Sequence, residues 1–286
     1  MKQETQQTQE LVLITGCGSG IGQALARAFQ RAGHRVCATA RRLDTLAPLE
    51  AEGIMVRALD VTDPVGTSDL LDSLAAAGLG VGTLVNNAGY GAMGPMFDVP
   101  QSEWQRQFDV NLFGPIALVR AVMPGMVARG RGLIVNISSV SGVMTTPFAG
   151  PYCASKAAFN AATDALRLEA EPLGIRVVTV QPGGIQSSFG SNASNQVSLT
   201  PDSPYQAVRD GVLARANESQ SKAMPADTFA SLLVAQLARA DCPPIVRLGE
   251  KSRLLPFLKQ WVPVRKLDDM LRKRFQLDRL RPHVGR

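Results

Sequence analysis

Short apolar runs alternate with longer helical stretches along most of this chain, and no other feature restricts its fold so tightly. LVLIT (11–15), RVCATA (35–40), IMVRAL (54–59), GTLVN (82–86), GLIVNIS (132–138), IRVVTV (175–180) and PPIVRL (243–248) read as strands. Helices are expected at 20–32, 42–52, 65–77, within 101–128 and at 150–172. The strands are apolar throughout rather than alternating, which is the pattern of burial on both faces. Strands separated by helices then give a parallel, doubly wound α/β sheet of about seven strands. The alternation never resets, so residues 1–249 read as one nucleotide-binding catalytic domain and 250–286 as a basic, amphipathic helical extension. A stretch rich in Ser, Asn, Pro and Gly at 186–204 follows the sixth strand and reads as a loop with a lid role.

Composition removes several classes of function. Hydrophobic residues are 45% of the chain and charged residues 19%, enough for a real core. There is no run of 18 uncharged apolar residues, so no spanning helix is expected, and MKQETQQTQE argues against a secretory signal. The four cysteines form no C-x-x-C pair, which suits free thiols and a cytoplasmic location. Two histidines, His34 and His283, leave no basis for a metal site. Residues 247–286 carry a net charge of +8 and the rest −2, so the basicity belongs to the tail and does not mark a nucleic-acid-binding protein.

The segment TGCGSGIG (Thr15 to Gly22) closes the first strand and opens the first helix. Gly16, Gly20 and Gly22 allow a tight turn, and Gly18, Ile21 and the helix start bring backbone N–H groups toward a pyrophosphate. The other reading is a purely structural turn, but a Rossmann-like dinucleotide site fits its place between strand and helix. At the end of the second strand such sites carry an acid for NAD or an arginine for the 2′-phosphate of NADP. Here Ala40 is followed by Arg41 and Arg42, which points to NADP. Asp60, ending the third strand, suits either the adenine amino group or a helix cap.

Tyr152 and Lys156 stand in YCASK, one helical turn apart on the same face. A tyrosine is a weak base near neutral pH unless a neighbouring cation favours its phenolate. Ser138 and Ser139 end the fifth strand, and Asn86 to Gly89 (NNAG) end the fourth, on the edge that the glycine turn shares.

Taken in order, TGCGSGIG, NNAG, FDVNLFG (108–114), ISS (137–139), YCASK and PGGIQS (182–187) resemble the short-chain dehydrogenases/reductases, in their shorter single-domain branch. The resemblance covers about 10–190 closely. It implies that Tyr152 exchanges a proton, that Lys156 binds the nicotinamide ribose and acidifies the tyrosine, that Ser139 polarises the substrate oxygen, and that Asn111 holds a relay water. It further implies that Asn86, Ala88 and Gly89 lie beside the adenine ribose, that Pro182, Gly183 and Ile185 wall the nicotinamide, and that Ser187 replaces a threonine near its carboxamide. An NADP(H)-dependent interconversion of carbonyl and alcohol on a small-molecule substrate is the activity implied.

Met93, Met144, Pro147, Phe148 and Phe189 flank the catalytic strand ends and suggest an apolar substrate of steroid, retinoid or long-chain type, unless they are simple core. In the tail, Leu254, Leu255, Leu258, Trp261 and Val262, and then Val264, Leu267, Leu271 and Phe275, recur at helical spacing between basic residues. That pattern suits peripheral contact with an anionic membrane or packing on the chain's own domain. Small alanines along 154–165 lead us to expect a homo-oligomer.

Overall fold

A computed structural model describes residues 9–187, 189, 197–218 and 223–280. Seven strands form one sheet: β1 (Gln9–Ile14), β2 (Val36–Ala40), β3 (Met55–Ala58), β4 (Leu79–Asn86), β5 (Gly132–Ile137), β6 (Ile175–Val180) and β7 (Ile245–Val246). Their order is β3-β2-β1-β4-β5-β6-β7 and every pairing is parallel. The order reverses between β1 and β4, so the crevice of such a sheet opens at their carboxyl ends.

Burial on both faces explains the unbroken apolar strands. In β1, Val12 and Ile14 face a core completed by Leu25 and Phe29 of α1 (Gly20–Arg31) and by Phe229 and Leu233 of α8 (Ala226–Leu237). Leu11 and Leu13 face the other core, with Leu70 and Leu74 of α3 (Pro64–Ala76) and Leu118 and Val122 of α5 (Gly114–Arg129). Helix α3 starts where its sequence dictates: Pro64 takes the first position and the Asp63 carboxylate accepts the N–H of Val65 at 3.0 Å. The long α6 (Gly150–Ala170) packs beside β5 and β6, and α2 (Ala47–Ala51) is a short piece after a 3₁₀ turn.

Several features differ from expectation. The stretch within 101–128 is α4 (Gln101–Phe108), a π turn (Asp109–Phe113) and α5 in succession. Gln101–Arg129 is long and apolar enough to cross a membrane by length and composition, against the expectation of none, yet 44% of its most apolar window is buried within the protein. The seventh strand shrinks to two residues, and α7 (Arg209–Asn217) precedes α8 without a clear periodic signal. Part of the lid assigned to 186–204 lies outside the described residues, at 188 and 190–196.

The tail does not run free. It forms α9 (Leu254–Trp261) and α10 (Val264–Arg274), and Leu267 and Phe275 are buried. Phe275 meets Phe148 edge-on at 6.5 Å and joins Val208 and Val212 in a separate small core.

Candidate active site

The carboxyl ends of the strands border a cleft of about 820 Å³. At its floor the turn after β1 is built from glycine for steric reasons. Gly16 has φ +72°, and a Cβ there would lie 2.7 Å from the Ala88 Cα. Gly20 has φ +58°, and its Cβ would lie 2.8 Å from that of Ser187. Backbone from both sides of the crevice therefore closes to a distance that no side chain permits. The Thr15 hydroxyl accepts the N–H groups of Asn87 and Ala88, each at 3.0 Å, and the Asn87 amide donates back to the Thr15 carbonyl at 2.9 Å. These bonds staple the glycine turn to the segment after β4.

Most of the expected cofactor residues line this cleft: Gly16, Gly18, Gly20, Ile21, Arg41, Asp60, Ala88, Gly89, Pro182, Gly183, Ile185 and Ser187. Three stand behind it. Thr15 is buried as the staple just described, and a Cβ at Gly22 would strike the Gly16 carbonyl at 2.3 Å, so Gly22 is a packing residue. Asn86 is corrected too: it pairs with Asn136 across β4 and β5, its amide donating to the Asn136 Oδ1 at 2.9 Å. Its neighbour Asn87 lines the cleft instead. The doublet Asn86-Asn87 hid which of the two ends the strand facing inward.

Arg41 lines the cleft from the exposed end of β2, while Arg42 is engaged by Asp44. Burial would raise the Asp60 carboxyl, but bonds from the Thr62 N–H and hydroxyl, with the charges of Arg41 and Arg106, hold it below its ordinary value. Helix capping is not its role, since Asp63 caps α3.

The proton-handling groups gather at the first turns of α6. Tyr152 and Lys156 are both buried and both line the cleft. Ser139, just past β5, lines the cleft with Tyr152 and accepts the Ser141 N–H at 3.0 Å. The Lys156 ammonium donates to the Ile137 carbonyl at 2.9 Å. Burial pushes the Tyr152 hydroxyl up to about 12, against the pull of the Ser139 hydroxyl and the charge of Arg215. Burial likewise brings Lys156 down to about 8. Burial dominates at Tyr152, and the charge of Arg215, which the sequence did not mark, pulls the other way.

Asn111 sits at the centre of the π turn and is fully buried. Its amide donates to the Tyr90 carbonyl at 3.0 Å and to the Ser155 hydroxyl at 3.2 Å, and its oxygen accepts the Tyr90 N–H at 3.2 Å. Asn111 does not line the cleft; it fixes the loop that follows Gly89 to the helix carrying Tyr152. Of the apolar candidates, Met144 and Phe189 line the cleft, with Phe189 5.3 Å from the Tyr152 ring. Met93 and Phe148 are core instead, and Pro147 is not on the wall. The wall also holds Thr146, Arg215 and Glu218, together with Glu250, Lys251 and Leu255 from the tail. No motif announced these, because they reach the cleft from segments far apart in sequence, the tail among them.

Residues 10–198, well over half of the chain, match the family model described as short chain dehydrogenase. The chain belongs to the short-chain dehydrogenase family. Its fold and its oxidoreductase class follow from that membership. It is 36% identical to the oxidoreductase YbbO of Escherichia coli (strain K12) over 203 residues, 70% of this chain and 76% of that one. A short-chain dehydrogenase from Streptomyces avermitilis superimposes with a TM-score of 0.78 at 28% identity, covering 95% of this chain and 97% of its own. A closed form of serine dehydrogenase complexed with NADP+ gives a TM-score of 0.74 at 26% identity, over 85% and 96% of the two chains.

Proposed function

We propose that this short-chain dehydrogenase reduces a carbonyl, or oxidises the matching alcohol, with NADP(H) as its hydride carrier and an apolar small molecule as its substrate. The observation that carries the reading is that Ser139 and Tyr152, with Lys156 one turn along, line the cleft that the glycine turn opens. The cradle fits a dinucleotide. Side chains at Gly16 and Gly20 would fill it, and the first turn of α1 directs N–H groups into the cleft. Arg41 offers a fork of donors for a 2′-phosphate, and the NADP+ held by the related serine dehydrogenase supports that choice.

When bound, the nicotinamide supplies or accepts the hydride. The chain's own residues handle the oxygen. Ser139 and Tyr152 both donate hydrogen bonds to it, where charge develops as the bond order changes. In the reductive direction Tyr152 gives its proton to that oxygen. With the phenol kept protonated at neutral pH, Tyr152 is poised as an acid. Lys156, brought close to neutral pH by burial, can exchange a proton in turn. Met144, Phe189 and Leu255 offer the substrate an apolar wall.

The test is NADPH consumption with a panel of apolar aldehydes and ketones, beside Tyr152→Phe. Turnover should fall at least ~100-fold in the variant while NADPH still binds. Retained turnover in Tyr152→Phe would remove this mechanism.

We also propose that the outer face of α9 makes peripheral contact with an anionic membrane. Phe257 and Trp261, 57% and 67% exposed, lie 6.4 Å apart on one side of that helix, among basic residues.

A further inference from the structure

We propose, resting on the oxidoreductase reading above, that the substrate carries an acid group on its apolar body and that Arg215 anchors that acid in the cleft. Arg215 lies near the end of α7. Its side chain is only 7% exposed, yet it lines the same cleft as Tyr152. Burying a guanidinium costs free energy unless its donors find partners. Here its Nε donates to the Thr146 hydroxyl at 2.5 Å. Among the described residues, no hydrogen bond reaches either of its terminal nitrogens. Those nitrogens form the half of the fork that suits a carboxylate or a phosphate.

Nearby charge does not neutralise it. The Glu218 carboxylate stands 3.9 Å from the Arg215 Nε, beyond hydrogen-bond reach, while Arg274 of α10 holds that carboxylate at 2.5 Å. Two arginines thus share one acid, leaving an excess positive charge at the wall. Glu250 and Lys251, the other charged wall residues from the tail, offset each other. The remaining surroundings, Met144, Phe189 and Leu255, are apolar and would strengthen an ion pair formed there. Arg215 is near the chemistry, since it lines the same cleft as Ser139 and Tyr152. A neutral steroid or hydrocarbon chain would offer nothing to the terminal nitrogens of this arginine. An oxo- or hydroxy-acid would give it one.

The experiment is calorimetric titration of the full-length protein, with NADP+ present, by dodecanoate and by methyl dodecanoate. The acid should bind at least tenfold more tightly than its ester. Arg215→Gln should erase the preference, and Arg215→Lys should restore part of it. Equal affinity for acid and ester in the wild-type protein would overturn the proposal, as would a preference that survives Arg215→Gln. The wild-type comparison decides even if a variant fails to fold. Neither titration needs hydride transfer, so a failure here is distinct from a failure of the oxidoreductase reading, which NADP+ binding and NADPH consumption report separately.

Discussion

Lys156 holds an amine in a dry interior, and the consequence is readable as stability. Its pKa falls from the ordinary 10.5 to about 8 in the folded protein. Between those values the unfolded chain binds a proton that the folded chain does not, so stability rises with pH across that window. Below about 8 the folded protein carries the full penalty, about 3 kcal/mol by linkage. Tyr152 acts later and with the opposite sign: its hydroxyl moves from 10 up to about 12, so stability falls as pH climbs between them. Denaturant unfolding should therefore show a midpoint that climbs between about pH 8 and 9, above which the buried Cys17 and Cys37 thiols, both pushed up by burial, turn it down. Lys156→Met should flatten that climb and be the more stable protein at neutral pH, with turnover reduced at least ~100-fold. A wild-type profile already flat over this range would contradict the burial argument. Arg41 sits at the exposed rim of the cleft, and its contribution is one of selectivity. A charge-assisted contact to phosphate is worth roughly 1.5–3 kcal/mol. Arg41→Ala should therefore weaken NADPH by about ten- to a hundredfold and leave NADH little changed; fluorescence titration with both dinucleotides reads this directly.

At the scale of elements, the π turn between α4 and α5 does what a regular helix would not. Its extra residue turns Asn111 inward, where its amide and carbonyl clamp both backbone groups of Tyr90 and the Ser155 hydroxyl. Asn111→Ala would orphan the Tyr90 groups, at a cost of about 1–3 kcal/mol each if buried. Turnover should then fall about ten- to a hundredfold, with a lowered Tm; unchanged kinetics would show that the clamp is dispensable. The π turn was not legible in the sequence, because one inserted residue barely perturbs a 3.6-residue apolar period. The strands were legible, because burial on both faces leaves a run such as LVLIT with no polar position at all. The glycine turn and the Tyr152-to-Lys156 spacing were legible for a similar reason: each is a local geometric demand. Asn86 was misplaced and Arg215 was missed because what faces a cleft depends on register and on chain that returns from far away. The short β7 shows the same limit from the other side: it lies at the sheet's edge, where β6 alone flanks it, and its pairing is confined to Ile245 and Val246.

For the molecule as a whole, the tail changes the character of the cleft. Phe275 plugs into a core with Phe148, and Arg274 reaches Glu218 on the cleft wall, so α10 is part of the substrate side. Once that face is spent on packing, the opposite face of the tail remains outward. Leu254, Phe257, Trp261 and Val264 are each at least half exposed there, on a segment whose net charge is +8 within 247–286. An aromatic pair flanked by Lys259, Arg265 and Lys266 combines two forces that act on a bilayer surface: burial of rings at the headgroup boundary, and attraction of cations to anionic lipid. The two forces separate experimentally. Added salt weakens only the second. In vesicle sedimentation the protein should pellet with anionic phospholipid and stay in the supernatant with zwitterionic lipid, and raising the salt should release part of it. Phe257→Ser with Trp261→Ser should reduce binding at least tenfold while leaving NADPH consumption intact, because neither ring lines the cleft. If the double variant sediments like the wild type, the aromatic pair has no membrane role. The basic face of α10 would then serve only to hold the tail, through Arg274 and Glu218, against the substrate wall.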